Sequence, residues 1–197
     1  MRPRYSTNWR AAESRIRRLP VLVAKGADSL IKKRASDLVK YFHDGIKGGT
    51  FRLKPLTTAS IAAKQSRGYE QPQTALYGLG DEDPKRTYAN MMEVKKSTSG
   101  RKITYTVRPS SRKHHSSKLR LRDLFVVHEY GAIINNAFGV AGMVVRIPPR
   151  PAFRYAYRKL MREIASQDPS KTVKQACVRY VRRGDSEALR TIHERSQ

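Results

Sequence analysis

The sequence predicts an α+β fold: a small antiparallel sheet, built from a hairpin plus one further strand, packed by an N-terminal helix and a helix in the C-terminal half, with basic terminal extensions. Three observations predict it. Apolar residues recur at helical spacing between Val21 and Ile46 and again beyond Pro151. Strict alternation marks a hairpin between Met92 and Arg108, and a β-branched run, Met143 to Ile147, is bounded by Gly142 and Pro148. The order helix, hairpin, strand, helix belongs to the α+β class.

In the first helix Leu30, Ile31, Leu38, Val39, Phe42 and Ile46, with Ala27 and Ala35, form the apolar stripe, and Lys32, Lys33, Arg34 and Lys40 take other faces. Gly48-Gly49 ends it. A short helix is predicted over Leu56 to Ser66, with Thr57 or Thr58 as its N-cap. Residues 68–84 are too rich in Gly and Pro for regular structure, and a brief helix or strand follows at Thr87 to Met92. The hairpin runs from Met92 to Ser97 and from Lys102 to Arg108 around Thr98-Ser99-Gly100-Arg101, with Ile103, Tyr105 and Val107 on one face. Residues 109–122 read as a basic loop. Leu124 to His128 closes a helix that Gly131 stops. Pro148, Pro149 and Pro151 deny backbone donors, so strand pairing ends there, and Pro151 opens a helix to Ser166. Its stripe is Phe153, Ala156, Tyr157, Leu160, Met161 and Ile164. Asp168-Pro169 breaks it, and short helices follow at Lys171 to Arg182 and Asp185 to Glu194. The chain divides into an Arg-rich N-terminal arm (1–19), a core (20–167) and a helical basic C-terminal extension (168–197).

Composition bounds the function. The 41 Lys+Arg against 16 Asp+Glu give a net charge of +25, whereas small domains need about 2 to 8 charges for solubility. Contact with a polyanion or an acidic partner follows. The candidate contacts are Arg2, Arg4, Arg10, Arg15, Arg17 and Arg18 in the arm, and Arg112, Lys113, Lys118, Arg120 and Arg122 in the central loop. That loop lacks interleaved aromatics for base stacking. Cys177 is the lone cysteine, so neither an intrachain disulfide nor a cysteine-based zinc site is available. No apolar run reaches membrane-span length.

Candidate chemistry is sparse. His114-His115 has no Cys, Asp or Glu nearby to complete a metal site. His128-Glu129 begins like HExxH, but Ala132 stands where the second histidine belongs. Gly78-Leu79-Gly80 precedes Asp81, Glu82 and Asp83, which would repel a phosphate. No catalytic, metal-binding or cofactor-binding residue is assigned. Glu129, an acid in an acid-poor chain, and Arg150, fixed between prolines, are expected to pair, so exchanging the two charges should restore folding lost in either single reversal.

Four segments in order carry a resemblance: Pro55-Leu56-Thr57 with Ser60, Lys64 and Gly68; Pro72 with Leu76-Tyr77-Gly78; His128-Glu129-Tyr130-Gly131; and Ile147-Pro148-Pro149-Arg150-Pro151 with Phe153. Together they resemble the tail-completion or neck proteins of tailed bacteriophages and the related virion-morphogenesis proteins of Mu-like phages. The resemblance covers residues 20–165. It departs at Ala152, which intervenes before Phe153 where the family commonly has an aromatic directly after the last proline, and the arm and tail exceed the family's core. The resemblance implies a structural virion protein without enzymatic activity or cofactor. Such a protein joins tail to head or portal vertex as part of a homo-oligomeric ring, expected as a hexamer. It is assembled in the host cytoplasm and resides at the head–tail junction, with other tail, neck or connector proteins and packaged DNA as partners and no membrane. The last two segments are then its assembly motif. The alternative is a nucleic-acid-binding basic protein outside any virion, of ribosomal or nucleoid type. A nuclease using Asp81, Glu82 and Asp83 on a metal is least supported.

Overall fold

A computed structural model describes residues 9–68, 72–73, 76, 87–100, 102–114, 119–135, 141–168, 170–175 and 178–179. Along the chain these form α1 (Trp9–Lys47), α2 (Thr58–Ser66), β1 (Met92–Ser99), β2 (Lys102–Pro109), α3 (Leu121–Tyr130), β3 (Ala132–Asn135), β4 (Val144–Ile147) and α4 (Ala152–Ser166). The fold is α+β. Two compact units divide it, one of residues 34–163 and one of the described parts of 1–33 and 164–197.

In the first unit the predicted stripe of α1 supplies Ala35, Leu38, Phe42 and Ile46, all buried. Phe42 is the hub. Its ring lies 5.9 Å from Tyr88 and 6.4 Å from Phe153, and Phe153 meets Phe125 edge-on at 5.8 Å. Met91, Met92, Leu121, Ala152, Ala156 and Leu160 complete the core. Such tilted and T-shaped contacts among the four rings add to the burial of Phe42 and Tyr88. Where α1 ends, Phe51 folds back onto Gly45. A Cβ there would run into the Phe51 ring, and the same ring stacks on Tyr155 at 5.9 Å.

Helix α2 starts at Thr58, two residues later than expected, and one of the two expected threonines caps it. Thr57 is its N-cap, its hydroxyl accepting from the Ser60 amide at 3.2 Å. The β1–β2 register pairs Met92 with Pro109 and Ser99 with Lys102. The strands therefore continue through Thr98 and Ser99, leaving a tighter turn that starts at Gly100, whose φ is 57°. The alternation on β2 is as predicted, with Ile103, Tyr105 and Val107 on the half-buried face.

Three elements differ from expectation. Helix α1 starts at Trp9 and continues through Pro20, because Ala, Glu, Arg and Leu are good helix formers and Arg17 pairs with Glu13 one turn away at 2.6 Å. Arg10, Arg15, Arg17 and Arg18 thus lie on a helix, while Arg2 and Arg4 fall outside the described residues. The second difference is in the sheet. β4 pairs not with the hairpin but with β3, a strand not predicted, in the register Ala132–Ile147 to Asn135–Val144. Ala132-Ile133-Ile134 is too short a run to be told from the end of a helix by periodicity. The third is the face of α4. It buries Ala152, Ala156 and Leu160, leaving Tyr157 and Met161 exposed. Glu163 holds that helix to α1 by accepting hydrogen bonds from the Tyr41 hydroxyl and, at 3.4 Å, from Arg34.

In the second unit, residues 170–175 are helical. Asp168 caps them, its carboxylate accepting from the amides of Ser170 at 2.9 Å and Lys171 at 3.2 Å. The predicted helix at Asp185 to Glu194, like Cys177, lies outside the described residues.

Phe42→Ala is expected to cost about 3–5 kcal/mol of unfolding free energy. The exposed Val126→Ala should stay within about 0.5 kcal/mol of wild type. Denaturant titration of the three proteins measures both.

Candidate functional site

Pro151 occupies the N-cap position of α4, since its carbonyl accepts from the Tyr155 amide at 3.2 Å. Proline has no side-chain acceptor, so the first-turn amides of α4 need one from elsewhere. Glu129 supplies it from the last turn of α3. Its carboxylate accepts from the Phe153 amide at 3.2 Å and the Arg154 amide at 3.0 Å. Negative charge at that end also complements the helix dipole. Glu129 is only 4% exposed. Burial pushes its carboxyl above the ordinary value, against the opposing pull of the two amides and of Arg154.

Gly131 brings the two motifs into contact. It ends α3 at φ 83°, a conformation that favours glycine. A Cβ on it would stand 2.9 Å from the Ile147 carbonyl and 3.1 Å from the Pro149 ring. Only a residue without a side chain lets α3 turn into β3 against the proline segment. One residue further on, the Arg150 amide donates to the His128 carbonyl at 2.5 Å, and the Ala152 amide to the Arg150 carbonyl at 2.7 Å. The joint is thus zipped by backbone on one side and capped by Glu129 on the other.

Arg150 is 7% exposed. Its guanidinium Nε donates to the Lys54 carbonyl at 3.2 Å, which ties the proline segment to the connection ahead of α2. The expected Glu129–Arg150 pair is not formed. The carboxylate satisfies the α4 amides and the guanidinium takes a backbone carbonyl on a different segment. The missed signal was physical: a helix opening after Pro-Arg-Pro has no local cap, and a buried acid in an acid-poor chain is the nearest acceptor.

Beneath the joint lies a group of titratable side chains. The His128 ring meets Tyr88 edge-on at 5.1 Å, and His128 Nδ1 and the Tyr88 hydroxyl are buried without a hydrogen-bond partner. Burial, then the charges of Arg150, His114 and Lys64, hold His128 down to about 4. Burial and Arg150 lower Lys64 to about 8. Burial, with Glu129 nearby, pushes the Tyr88 hydroxyl well up. A neutral histidine set edge-on against a tyrosine is a packing element here.

The remaining site residues divide. Ile147, Pro148, Pro151 and Phe153 line the joint, whereas Tyr130 points outward at 66% exposure. Ala152 is fully buried, so Phe153 rather than its neighbour carries the aromatic contact with Phe42 and Phe125. Of the basic loop, Arg112, Lys113, Arg120 and Arg122 are exposed. Lys113 and Arg120 form an isolated bridge, the His114 amide donates to the Leu119 carbonyl at 2.9 Å, and the Leu121 amide to the Arg112 carbonyl at 2.8 Å. Lys118 lies outside the described residues, as do Tyr77, Gly78, Asp81, Glu82 and Asp83. Among the described residues no group of three His, Cys, Asp or Glu could hold a metal ion, and no helix is long and apolar enough to cross a membrane.

Glu129→Ala should cost about 1–3 kcal/mol by orphaning buried amides. Glu129→Gln, with a single acceptor oxygen, should fall between it and wild type. Combining Glu129→Arg with Arg150→Glu should give no rescue by thermal denaturation, since neither side chain contacts the other. The unfolded histidine takes up a proton near 6.5 and the folded His128 only near 4. Between those values the unfolded state binds more protons, so stability should fall as pH drops, by up to about 3 kcal/mol. Subtracting the pH profile of His128→Asn isolates that slope. Comparison with known protein families, with characterised proteins and with solved structures finds no match for this chain.

Proposed function

We propose that this chain is a structural virion protein of a tailed phage, completing the tail or neck and joining it to the head or portal vertex within a ring. One observation carries the reading. The two motifs that most closely resemble the tail-completion family, His128 to Gly131 and Ile147 to Pro151, interlock through backbone hydrogen bonds and the Glu129 cap. The Glu129 carboxylate and the Arg150 guanidinium are both spent on backbone groups. A rigid joint of this kind suits a part that holds a subunit's shape.

The charge supports the same reading. A subunit of net charge +25 is soluble alone but self-repelling, and becomes stable beside DNA or acidic neighbours. Ring closure needs two different complementary faces on each subunit. A basic protein that binds nucleic acid outside any virion shares the charge but assigns no part to the joint.

The test is location. Particles purified from a lysate of the host carrying this gene should contain the chain at the head–tail junction by immunogold labelling, and loss of the gene should leave filled heads and separate tails. Absence of the chain from purified particles would overturn the reading. Its co-sedimentation with ribosomes or nucleoid instead would favour the alternative.

A further inference from the structure

Beside the joint lies an open groove of about 1020 Å³. One wall is Lys54, Pro55 and Thr57; the other is Tyr130 to Ile133 at the start of β3 and Arg146 to Pro149 at the end of β4. Beside it Tyr130 is exposed at the end of α3, and on the β3–β4 ribbon Ile133 and Val144 are exposed on the face that also carries Arg146. Among the described residues no third strand joins that ribbon. A lone pair of four-residue strands is marginally stable in water, and an apolar patch of this kind marks an interaction surface.

The sequence around the groove tells what covers it. From Thr50 to Arg67 and from Tyr130 to Arg162 the chain contains no Asp or Glu, so neither wall has an acid to offer. Lys54 and Arg146 stand exposed in the lining. A second copy of a chain with net charge +25 would bring like charge to a basic groove, and like charge across an interface costs affinity. The prolines supply no amide donors at positions 55, 148 and 149. Apolar packing and the two cations then carry most of the recognition.

We infer that this groove and the adjoining ribbon face bind a short acidic segment of another protein, its apolar side chains packing on Tyr130, Ile133 and the prolines and its carboxylates pairing with Lys54 and Arg146. The inference stands apart from the virion reading. It assigns a partner chemistry to a surface that the joint merely positions.

The experiment uses the full-length chain and a fluorescent peptide about a dozen residues long that alternates Glu with Leu, read by anisotropy at physiological salt. Arg146→Glu and Ile133→Ser should each weaken binding about tenfold, while Arg158→Glu, an equal charge change on α4, should leave it unchanged. Each variant should keep the wild-type melting temperature, because the replaced side chains are exposed. Replacing Leu by Ser in the peptide should also abolish binding. Equal loss with Arg158→Glu, or equal binding of a Glu–Ser peptide, would reduce the effect to general charge and overturn the inference. So would a double-stranded oligonucleotide that displaces the peptide with an affinity sensitive to Ile133→Ser. Self-association lost on Ile133→Ser, seen by analytical ultracentrifugation, would assign the groove to a second copy and likewise overturn it.

Discussion

The architecture of residues 34–163 depends on one carboxylate placed at the start of a helix whose own sequence cannot cap it. Pro151 fixes the backbone for α4 but offers its first-turn amides nothing, and Glu129 reaches across from α3 to accept two of them. That contact sets the direction of α4. Direction places Phe153 against Phe42 and Phe125 and turns Ala152, Ala156 and Leu160 into the core. Glycine at position 131 makes the approach possible, because the Pro149 ring already fills the space of a side chain. Arg150 extends the joint to Lys54. Capping, turn and aromatic hub are therefore one constraint seen at three scales.

Acids are scarce in this chain, and several described ones have structural tasks. Glu129 caps α4 and Asp168 caps the helical stretch after it. Glu163 accepts from Tyr41, whose hydroxyl is pushed up to about 12 chiefly by that bond. Asp37 and Glu163 share Arg34. The exposed pairs, such as Arg108 with Glu93 at 3.1 Å, contribute little. Negative charge is used to position helices, and the outer surface is left cationic. A chain organised in this way folds by apolar packing and directs its unneutralised charge outward.

Much of the fold was legible in the sequence because it rests on periodicity. The stripe from Ala35 to Ile46, the alternation of Ile103, Tyr105 and Val107, the Thr57 cap and the helix after Pro151 all follow from local spacing and local chemistry. What sequence could not supply depends on contacts between distant segments. β3 is four residues long and has meaning only opposite β4. Tyr157 and Met161 fit the spacing of a buried stripe, yet the rotation of α4 is set by Glu129 and Phe153. At the joint, His128 to Gly131 and Ile147 to Phe153 do come together, but the expected Glu129–Arg150 pair does not form. Opposite charges suggested a pair; the demand of buried backbone amides for an acceptor prevailed.

Amide hydrogen exchange at Phe153 and Arg154 tests the central constraint most directly. With Glu129 as the acceptor, Glu129→Ala should speed exchange of those two amides well beyond any change in global stability, while Arg150→Ala should leave their protection tied to the global value. Unchanged protection in Glu129→Ala, or selective loss in Arg150→Ala, would contradict the account.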